Sequence, residues 1–384
     1  MMTNLFDIID IMKPAQYPIN IIKGINIKHL RCPLWMDSQK VVSPFCEGMI
    51  RDLYNYKPAP LELLLYCAGL LLLFDTKYMK HTRVTKQIEY IEPSNAKDRL
   101  VCSGIIIHST PKIVIDTNPG DAGIVEILKK LQPDIAIITH FHIDHSGYLS
   151  AVSKHTNARI YIPKKDEPYL VDIENYIEQL RPDNSDIIEK LLRQRLIESG
   201  YMEIKEYNSY DEATDFRFHN PDFMRVIRTP GHSPGHSSFY FPHDKILFTG
   251  DIGTDKLGPW YIFPNCNLAQ HIESILRLMT LDIDLMITCH GGIISKGIKP
   301  ALRQCLKIIY DREYMIKSKL KKGYARSKIV EEGIIFGNKT GFDEPMRSYW
   351  YNGDDTAFNH HYNLIQNGGM INRFPVVYDM LRDI

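Results

Sequence analysis

Residues 139–147 read THFHIDHSG, and they place three histidines and one aspartate within six consecutive positions. The segment ends an apolar run, residues 134–139 (DIAIIT), whose pattern predicts a buried strand. Imidazole and carboxylate groups concentrated at a strand end are typical of metal-binding sites. The segment therefore predicts metal chemistry, with exposed loop histidines as the alternative.

The local geometry of this segment requires a bend. A fully extended chain would place His140, His142 and Asp144 on one side and His145 on the other. A helical pattern resumes at residues 146–155, SGYLSAVSKH. All four side chains can converge if the chain curls at Asp144, where this helix begins.

The elements before the segment predict a layered α/β arrangement. Short strand patterns cover residues 86–91, 102–108 and 112–116, and the last two form a plausible hairpin. A helical pattern follows at residues 123–131, directly before the apolar run. The histidine cluster thus lies at the carboxyl end of a strand, where ligand sites of layered α/β folds usually lie.

Three later strand ends carry further histidine or aspartate residues. Strand patterns at 223–229, 245–249 and 285–288 each end close to a glycine, which lets the backbone turn tightly and side chains reach inward. Four separate strand ends with such side chains are hard to explain by chance. The residues are His232 and His236 in TPGHSPGH, Asp251 in TGD and His290 in TCHGG.

Composition narrows the class of protein. Lysine plus arginine and aspartate plus glutamate balance at 46 each, so no net charge favours a nucleic acid or a membrane surface as partner. Seven cysteines without a CxxC pair fit reduced thiols in a cytosolic protein. The acidic amino-terminal residues, MMTNLFDIIDIMK, argue against a secretion signal, so we expect a cytoplasmic protein.

The flanking regions predict helical additions. Residues 1–84 read as a helical extension whose apolar run, 63–74, is too short to span a bilayer, since spanning takes about 20 residues. This run predicts a buried helix, with a membrane-associated or dimer-forming helix as the alternative. Residues 165–215 predict a charged helical insertion that either borders a substrate cleft or is a solvated spacer.

The carboxyl-terminal region, residues 301–384, also predicts helices. Residues 299–320 have a long amphipathic pattern, and the basic segment that follows fits an anionic ligand or, more simply, a solvated helix face. Residues 357–374, AFNHHYNLIQNGGMINRF, weakly resemble the last helix and wing of a winged-helix module.

Taken in order, the four ligand-bearing motifs resemble those of the metallo-β-lactamase-fold hydrolases, over residues 85–300. The resemblance implies a four-layer αββα sandwich that holds two metal ions at the open edge of its sheets. It implies that His140, His142 and His232 form one metal site, that Asp144, His145 and His290 form the other, and that Asp251 bridges them. Asp116 resembles the family's early aspartate, which orients ligands.

The segment GPWYIFP, residues 258–264, resembles one found in some hydrolase-like members of the family. Trp260 and Tyr261 follow Asp251 closely enough to line the pocket mouth, where Tyr261 would donate a hydrogen bond to substrate. An aromatic core pair is the alternative. His236 is expected to support a ligand or to line the pocket, with a hydrogen-bonded structural histidine as the alternative.

The predicted ligands determine the expected chemistry. Imidazoles and carboxylates suit zinc, and also iron or manganese, because no thiolate selects a softer ion. Two divalent ions can hold a bridging hydroxide at neutral pH, which would be the nucleophile, and Asp144 is a plausible proton shuttle. We therefore expect a dinuclear hydrolase that cleaves an ester, thioester or lactone of a small molecule, similar to the glyoxalase II and lactonase branch.

Two alternative functions remain open at this point. One is an oxidoreductase similar to the persulfide dioxygenases of the same fold, with a single iron. The other is a nucleic-acid-processing phosphodiesterase. Such members usually carry a large extra domain in the second half of the sandwich, and the 39-position interval from Asp251 to His290 (290 − 251) is already used by one helix and one strand, which disfavours this alternative. Among partners we expect a small-molecule substrate, no nucleic acid, and possible homodimer formation.

Overall fold

The structure is a computed structural model that describes residues 79–93, 101–181, 185–218, 222–339 and 341–382. The predictions for residues 1–78, including the apolar run 63–74, lie outside the described residues. The first described strand begins at Met79, before the expected start of the catalytic domain at residue 85.

The first sheet contains seven strands in sequence order, among the residues described. Its first four strands pair antiparallel, and the following pairs, from the fourth strand to the seventh, are parallel. The predicted hairpin is confirmed by the third and fourth strands. The strands are β1 (Met79–Arg83), β2 (Ile88–Pro93), β3 (Gly104–Ile107), β4 (Ile113–Ile115), β5 (Ile135–Ile137), β6 (Arg159–Pro163) and β7 (Asn208–Tyr210).

The second sheet contains the remaining six described strands, in the order β13-β12-β11-β10-β9-β8. Only its β11 and β12 pair in parallel; the other neighbours are antiparallel. The strands are β8 (Asp215–Arg217), β9 (Phe223–Arg228), β10 (Ser237–Phe241), β11 (Ile246–Phe248), β12 (Leu285–Thr288) and β13 (Gly292–Ile294).

Helices connect the strands and cover the sheets, and none within the described ranges is long and apolar enough to cross a membrane. The helices that precede β13 are α1 (Asp121–Leu131), α2 (Ile143–Ser146), α3 (Leu149–His155), α4 (Glu167–Val171), α5 (Ile173–Leu180), α6 (Asp186–Glu198) and α7 (Leu268–Leu278). Those that follow it are α8 (Ile298–Lys321), α9 (Arg326–Glu332), α10 (Met346–Gln366), α11 (Gly369–Arg373) and α12 (Pro375–Leu381).

Successive side chains along a strand pack alternately into two hydrophobic cores, as a sandwich requires. In β3, Ile105 and Ile107 pack in the core between the sheets, whereas Ile106 packs in the core that includes the helices. Apolar side chains on both faces explain why β3, β4 and β5 read as continuous isoleucine-rich runs. The expected αββα sandwich is confirmed, and the ligand-bearing loops leave its strands at one edge.

The additions to the sandwich differ in part from expectation. The helices predicted for residues 165–215 end at Glu198, and Asn208–Tyr210 forms the edge strand of the first sheet. The helix predicted over 299–320 is α8. Residues 298–339 and 341–382 contain helices and no strand. Because the wing of a winged-helix module is a β-hairpin, the prediction of a wing in this region is wrong.

Candidate metal centre

The structure brings the seven predicted ligands together in two adjoining groups. His140, His142 and His232 form the first group, and the remaining four form the second. Each group is assembled from loops that follow strands of both sheets. The first four of the seven residues follow β5 of the first sheet, and the other three follow β9, β11 and β12 of the second. The second group consists of Asp144, His145, Asp251 and His290.

The first group consists of three ring nitrogens that face one another. His142 Nδ1 lies 3.0 Å from His140 Nε2 and 2.9 Å from His232 Nε2, and the two Nε2 atoms are 3.2 Å apart. Tetrahedral zinc with Zn–N bonds near 2.0–2.1 Å places neighbouring nitrogens roughly 3.3 Å apart. The three atoms are therefore spaced as ligands of a single small ion.

Hydrogen bonds to the outer ring nitrogens orient this group. His232 Nδ1 donates to the carbonyl of Trp260 at 2.8 Å, and a carbonyl can only accept. The Nε2 lone pair of a neutral His232 therefore points into the group. His140 Nδ1 lies 2.9 Å from Thr139 Oγ1 and is oriented in the same way. Such partners are typical of metal-ligating histidines.

The second group combines carboxylates with imidazoles. Asp144 Oδ2 lies 3.1 Å from His290 Nε2 and 3.4 Å from His145 Nε2. The chain curls at Asp144 as expected, because α2 begins one residue earlier. The His290 side chain is 31 % exposed, whereas the His145 side chain is fully buried. This group is therefore the one open to solvent.

Asp251 lies between the two groups. Its Oδ2 atom is 3.4 Å from both His145 Nε2 and His290 Nε2, in the second group. The same oxygen is 3.6 Å from His232 Nε2, in the first group. This position matches the bridging role that the resemblance implies.

Several polar atoms of the site are buried without a hydrogen-bond partner among the described residues. They are His142 Nε2, His145 Nε2 and Asp251 Oδ1. Leaving such groups unsatisfied costs about 1–3 kcal/mol each. Two of the three atoms belong to the second group, where a bound cation would satisfy them. The nitrogen and oxygen atoms available as metal ligands at this site therefore fit divalent ions.

Electrostatics distinguish the two groups. Burial lowers the pKa of His140 and His142 well below the ordinary value and lowers the pKa of His232 to about 3, so all three rings are neutral. Burial also lowers the pKa of His290, but the carboxylates of Asp251 and Asp144 outweigh it and raise that pKa well above the ordinary value. The second group thus attracts positive charge.

Asp116 supports the second group. It directly follows β4 and has a φ of 48°, in the left-handed region. Its Oδ2 accepts from His145 Nδ1 at 2.9 Å, which leaves His145 Nε2 to face the group. Its Oδ1 accepts from the backbone N–H of Thr139 at 2.7 Å, and the Cys289 thiol lies 3.5 Å from its Oδ2. Asp116 therefore fixes the orientation of the His145 ring, which is consistent with the role that the resemblance implies.

His236 is buried and supports Asp251. Its Nδ1 donates to the carbonyl of Thr229 at 3.0 Å, and its Nε2 accepts from the backbone N–H of Asp251 at 2.9 Å. Gly250, between them, has a φ of 61°, and a Cβ there would lie 2.7 Å from His236 Nε2. His236 therefore holds the backbone of Asp251 in place, and it is not among the residues that line the cavity.

Asp166 is a site residue that sequence reasoning missed. Its fully buried carboxylate accepts from the backbone N–H groups of Phe141 at 3.1 Å and Gly235 at 2.6 Å, and from the Ser233 hydroxyl at 2.8 Å. Burial raises its pKa to about 7 despite these three donors. Asp166 thereby ties the loop of His140 and His142 to the loop of His232.

A cavity of about 680 Å³ opens onto the metal centre. The metal-facing wall includes Asp144, Asp251 and His290. The rest of the lining comes from α5, α6 and α10 and from the segment after Asp251. Its larger side chains are Tyr176, Leu180, Leu192, Arg195, Trp260, Phe263, Tyr349 and Trp350. The helical insertion thus borders the cavity, as the first of its two expected roles requires.

Tyr261 does not occupy the expected position, whereas Trp260 does line the cavity. Tyr261 is 0 % exposed, donates a hydrogen bond to His361 Nε2 at 2.9 Å and accepts one from Arg312 at 3.1 Å. Both partners belong to the carboxyl-terminal helices, α10 and α8. The prediction of a catalytic Tyr261 at the pocket mouth is wrong because these helices cover its side chain.

The fold and the site together define an αββα protein whose histidine and aspartate side chains converge at one edge of two packed sheets. A sequence profile of the metallo-beta-lactamase superfamily matches residues 98–290, about half of the chain. The chain belongs to this superfamily.

Three relatives show the extent of the similarity. A probable metallo-hydrolase, YflN, from Bacillus subtilis is 30% identical over 173 residues, which cover 40% of this chain and 63% of that protein. A hydroxyacylglutathione hydrolase from Chelativorans is 26% identical and is matched over 44% of this chain and 54% of its own. The crystal structure of a beta-lactamase domain protein from Burkholderia ambifaria superposes with a TM-score of 0.59 at 17% identity, covering 76% of this chain and 90% of that one.

The matches to the two relatives cover only part of this chain and only part of each relative. The chain spans about half to two thirds of the length of these two curated relatives. The likeness to the solved structure, at 17% identity, concerns the fold alone.

Proposed function

We propose that the protein is a metal-dependent hydrolase that cleaves an ester, thioester or lactone of a small molecule with the help of two divalent ions. The observation that carries this proposal is the position of Asp251 Oδ2, which faces the nitrogen donors of both groups at 3.4–3.6 Å. Zinc is the metal that we favour, and the donor set also suits iron or manganese.

The proposed assignment follows the two groups. His140, His142 and His232 would hold one ion, Asp144, His145 and His290 the other, and Asp251 both. Two ions bound there would lower the pKa of a bound water, which would supply a hydroxide nucleophile at neutral pH, and would polarise the attacked carbonyl. No serine or cysteine nucleophile is then required.

The chain's own residues position substrate and move the proton. Asp144 lines the cavity on the metal side, so its carboxylate can accept a proton released during attack. Leu192 and Phe263 line the same cavity, with the Phe263 ring 5.2 Å from the His142 ring, and exclude water from a bound substrate. His236 and Asp116 hold Asp251 and His145 in place through the hydrogen bonds already described.

The relatives support hydrolysis as the class of reaction. Those named hydroxyacylglutathione hydrolase, at 26% and 29% identity, make an acyl thioester the bond type that we favour. The cytoplasmic location and a homodimeric state stay predictions.

Metal analysis and a substrate panel test the proposal. The purified full-length chain should contain two divalent ions and should hydrolyse at least one compound from a panel of esters, thioesters, lactones and phosphodiesters, with activity lost on chelation and restored by zinc. One iron per chain together with oxygen uptake on a persulfide would refute it in favour of the dioxygenase alternative. Cleavage of the phosphodiesters alone would favour the nucleic-acid alternative.

A further inference from the structure

The charged side chains of the cavity are few once the metal-facing residues are set aside. They are Arg195, Asp255 and Lys256. Asp255 accepts from the backbone N–H groups of Leu257 at 2.8 Å and Gly258 at 3.0 Å, so its carboxylate is engaged in its own turn. Lys256 is exposed to solvent. Arg195 is therefore the half-buried charge that a ligand would meet.

Arg195 differs from the other arginines of the same helical insertion. Arg181 pairs with Glu189, and Arg193 pairs with both Glu174 and Glu189. Arg195 makes no ion pair with any residue in the described part of the chain, and its guanidinium stacks over the Tyr349 ring at 4.9 Å. Stacking holds the group in place and leaves its N–H donors free for a planar acceptor.

The surroundings of Arg195 strengthen its attraction for an anion. Tyr176, Leu180, Leu192 and Trp350, whose side chains are largely apolar, line the same cavity as Arg195. A charge beside apolar side chains interacts more strongly with an opposite charge than it does in water. A ligand without an anionic group would desolvate this guanidinium and give it no partner, which is costly.

We propose that the substrate carries a carboxylate at the end of an apolar chain, and that Arg195 binds this carboxylate while the chain lies against the largely apolar side chains of the cavity. A planar guanidinium matches a carboxylate through two parallel hydrogen bonds. The inference rests on the proposed function for the bond that is cleaved. It assigns recognition to α6 of the insertion, whereas the strand ends supply the metal ligands.

Two matched thioesters test this assignment. Hexanoyl and adipoyl thioesters of N-acetylcysteamine have acyl chains of six carbons that end in a methyl group and a carboxylate, respectively. The wild type should favour the adipoyl compound. Arg195→Met should lower its kcat/KM for the adipoyl thioester by about 10- to 100-fold, the range expected for one charge-assisted interaction, and change the hexanoyl value by less than about twofold.

Arg193→Met is the control, since Arg193 is paired with glutamates on the surface, and both kcat/KM values should stay unchanged. Arg195→Lys should recover part of the preference for the adipoyl thioester, because lysine keeps the positive charge but lacks the planar guanidinium that forms two parallel hydrogen bonds. An equal loss on both thioesters in Arg195→Met, or no loss on either, would overturn the proposal.

A binding measurement separates this inference from the proposed hydrolysis. Calorimetry on the metal-loaded protein should show that adipate binds more tightly than hexanoate, and that Arg195→Met removes the difference. If neither thioester is hydrolysed and adipate still binds through Arg195, the proposed reaction fails on these substrates and the anion site stands. If adipate and hexanoate bind equally to the wild type, the anion site is refuted.

Discussion

The two ligand groups of the site differ in composition and in exposure. The first contains only imidazoles, which are buried and neutral and are oriented by a backbone carbonyl and a threonine hydroxyl. The second contains two carboxylates and His290, whose side chain is 31 % exposed and lies in the cavity wall. If two ions bind as proposed, we expect the first group to retain its ion and the second to present its ion to substrate.

The largest expected effect comes from removing the residue that joins the groups. Asp251→Ala should lower kcat/KM by at least about a thousandfold and reduce the metal content to one ion or fewer, because the shared carboxylate is lost. Metal analysis and steady-state kinetics measure both effects. Asp282→Ala, at a surface aspartate paired with Lys245, is the control. Full activity with two ions in Asp251→Ala would show that the bridge is assigned wrongly.

A variant of the exposed ligand should affect one group alone. Losing a residue that merely orients a ligand lowers metal affinity or activity by about 10- to 100-fold. His290→Ala, which removes a proposed ligand, should therefore lower activity by about a hundredfold or more. One ion should remain with the three histidines, and limited chelation of the wild type should likewise remove one ion before the other. Simultaneous loss of both ions would mean that the groups are not separable.

A smaller effect is expected from the residue that ties the two loops of the first group. Asp166→Asn keeps the shape but replaces one acceptor oxygen of a fully buried carboxylate with an amide. We expect roughly tenfold weaker metal retention by the first group, with folding preserved. Competition with a chromophoric chelator measures the affinity, and circular dichroism verifies the fold. An unchanged affinity would limit Asp166 to a packing role.

The smallest effect on catalysis is expected at Tyr261. Because its hydroxyl bonds His361 and Arg312 inside the protein, Tyr261→Phe should leave kcat/KM within about twofold of the wild type and lower the free energy of unfolding by about 1–2 kcal/mol. Thermal unfolding and kinetics measure these quantities. A large loss of kcat at unchanged stability would restore the catalytic role that the sequence suggested.

The convergence of the seven proposed ligands was predictable from sequence because each follows a strand end, and the position of a strand end fixes where its loop begins. The β5 run and the motif after it specify His140, His142 and His145 together, and a glycine accompanies each later ligand. The bend at Asp144 also followed from side-chain alternation and the resumed helical pattern.

What could not be predicted depends on contacts between distant segments. No motif in the segment KKDEPYL marks Asp166 as a site residue. Its role is visible only in the folded chain, where it accepts hydrogen bonds from Phe141 and Gly235. Tyr261 follows Asp251 closely in sequence, but the carboxyl-terminal helices decide which way its side chain faces. Arg195 and Arg193 look alike in sequence, and only their neighbours distinguish them.

The first ligand group also has a consequence for the integrity of the fold. His142 lies in the loop after β5 of the first sheet, and His232 lies in the loop after β9 of the second sheet. They are 90 positions apart in the chain. An ion held by both would act as a reversible cross-link that closes a long loop and fastens one sheet to the other. At a free ion concentration a hundred times its dissociation constant, this fastening would add about 2.7 kcal/mol to the stability of the whole sandwich. Depriving the protein of metal would then loosen its architecture as well as stop its chemistry.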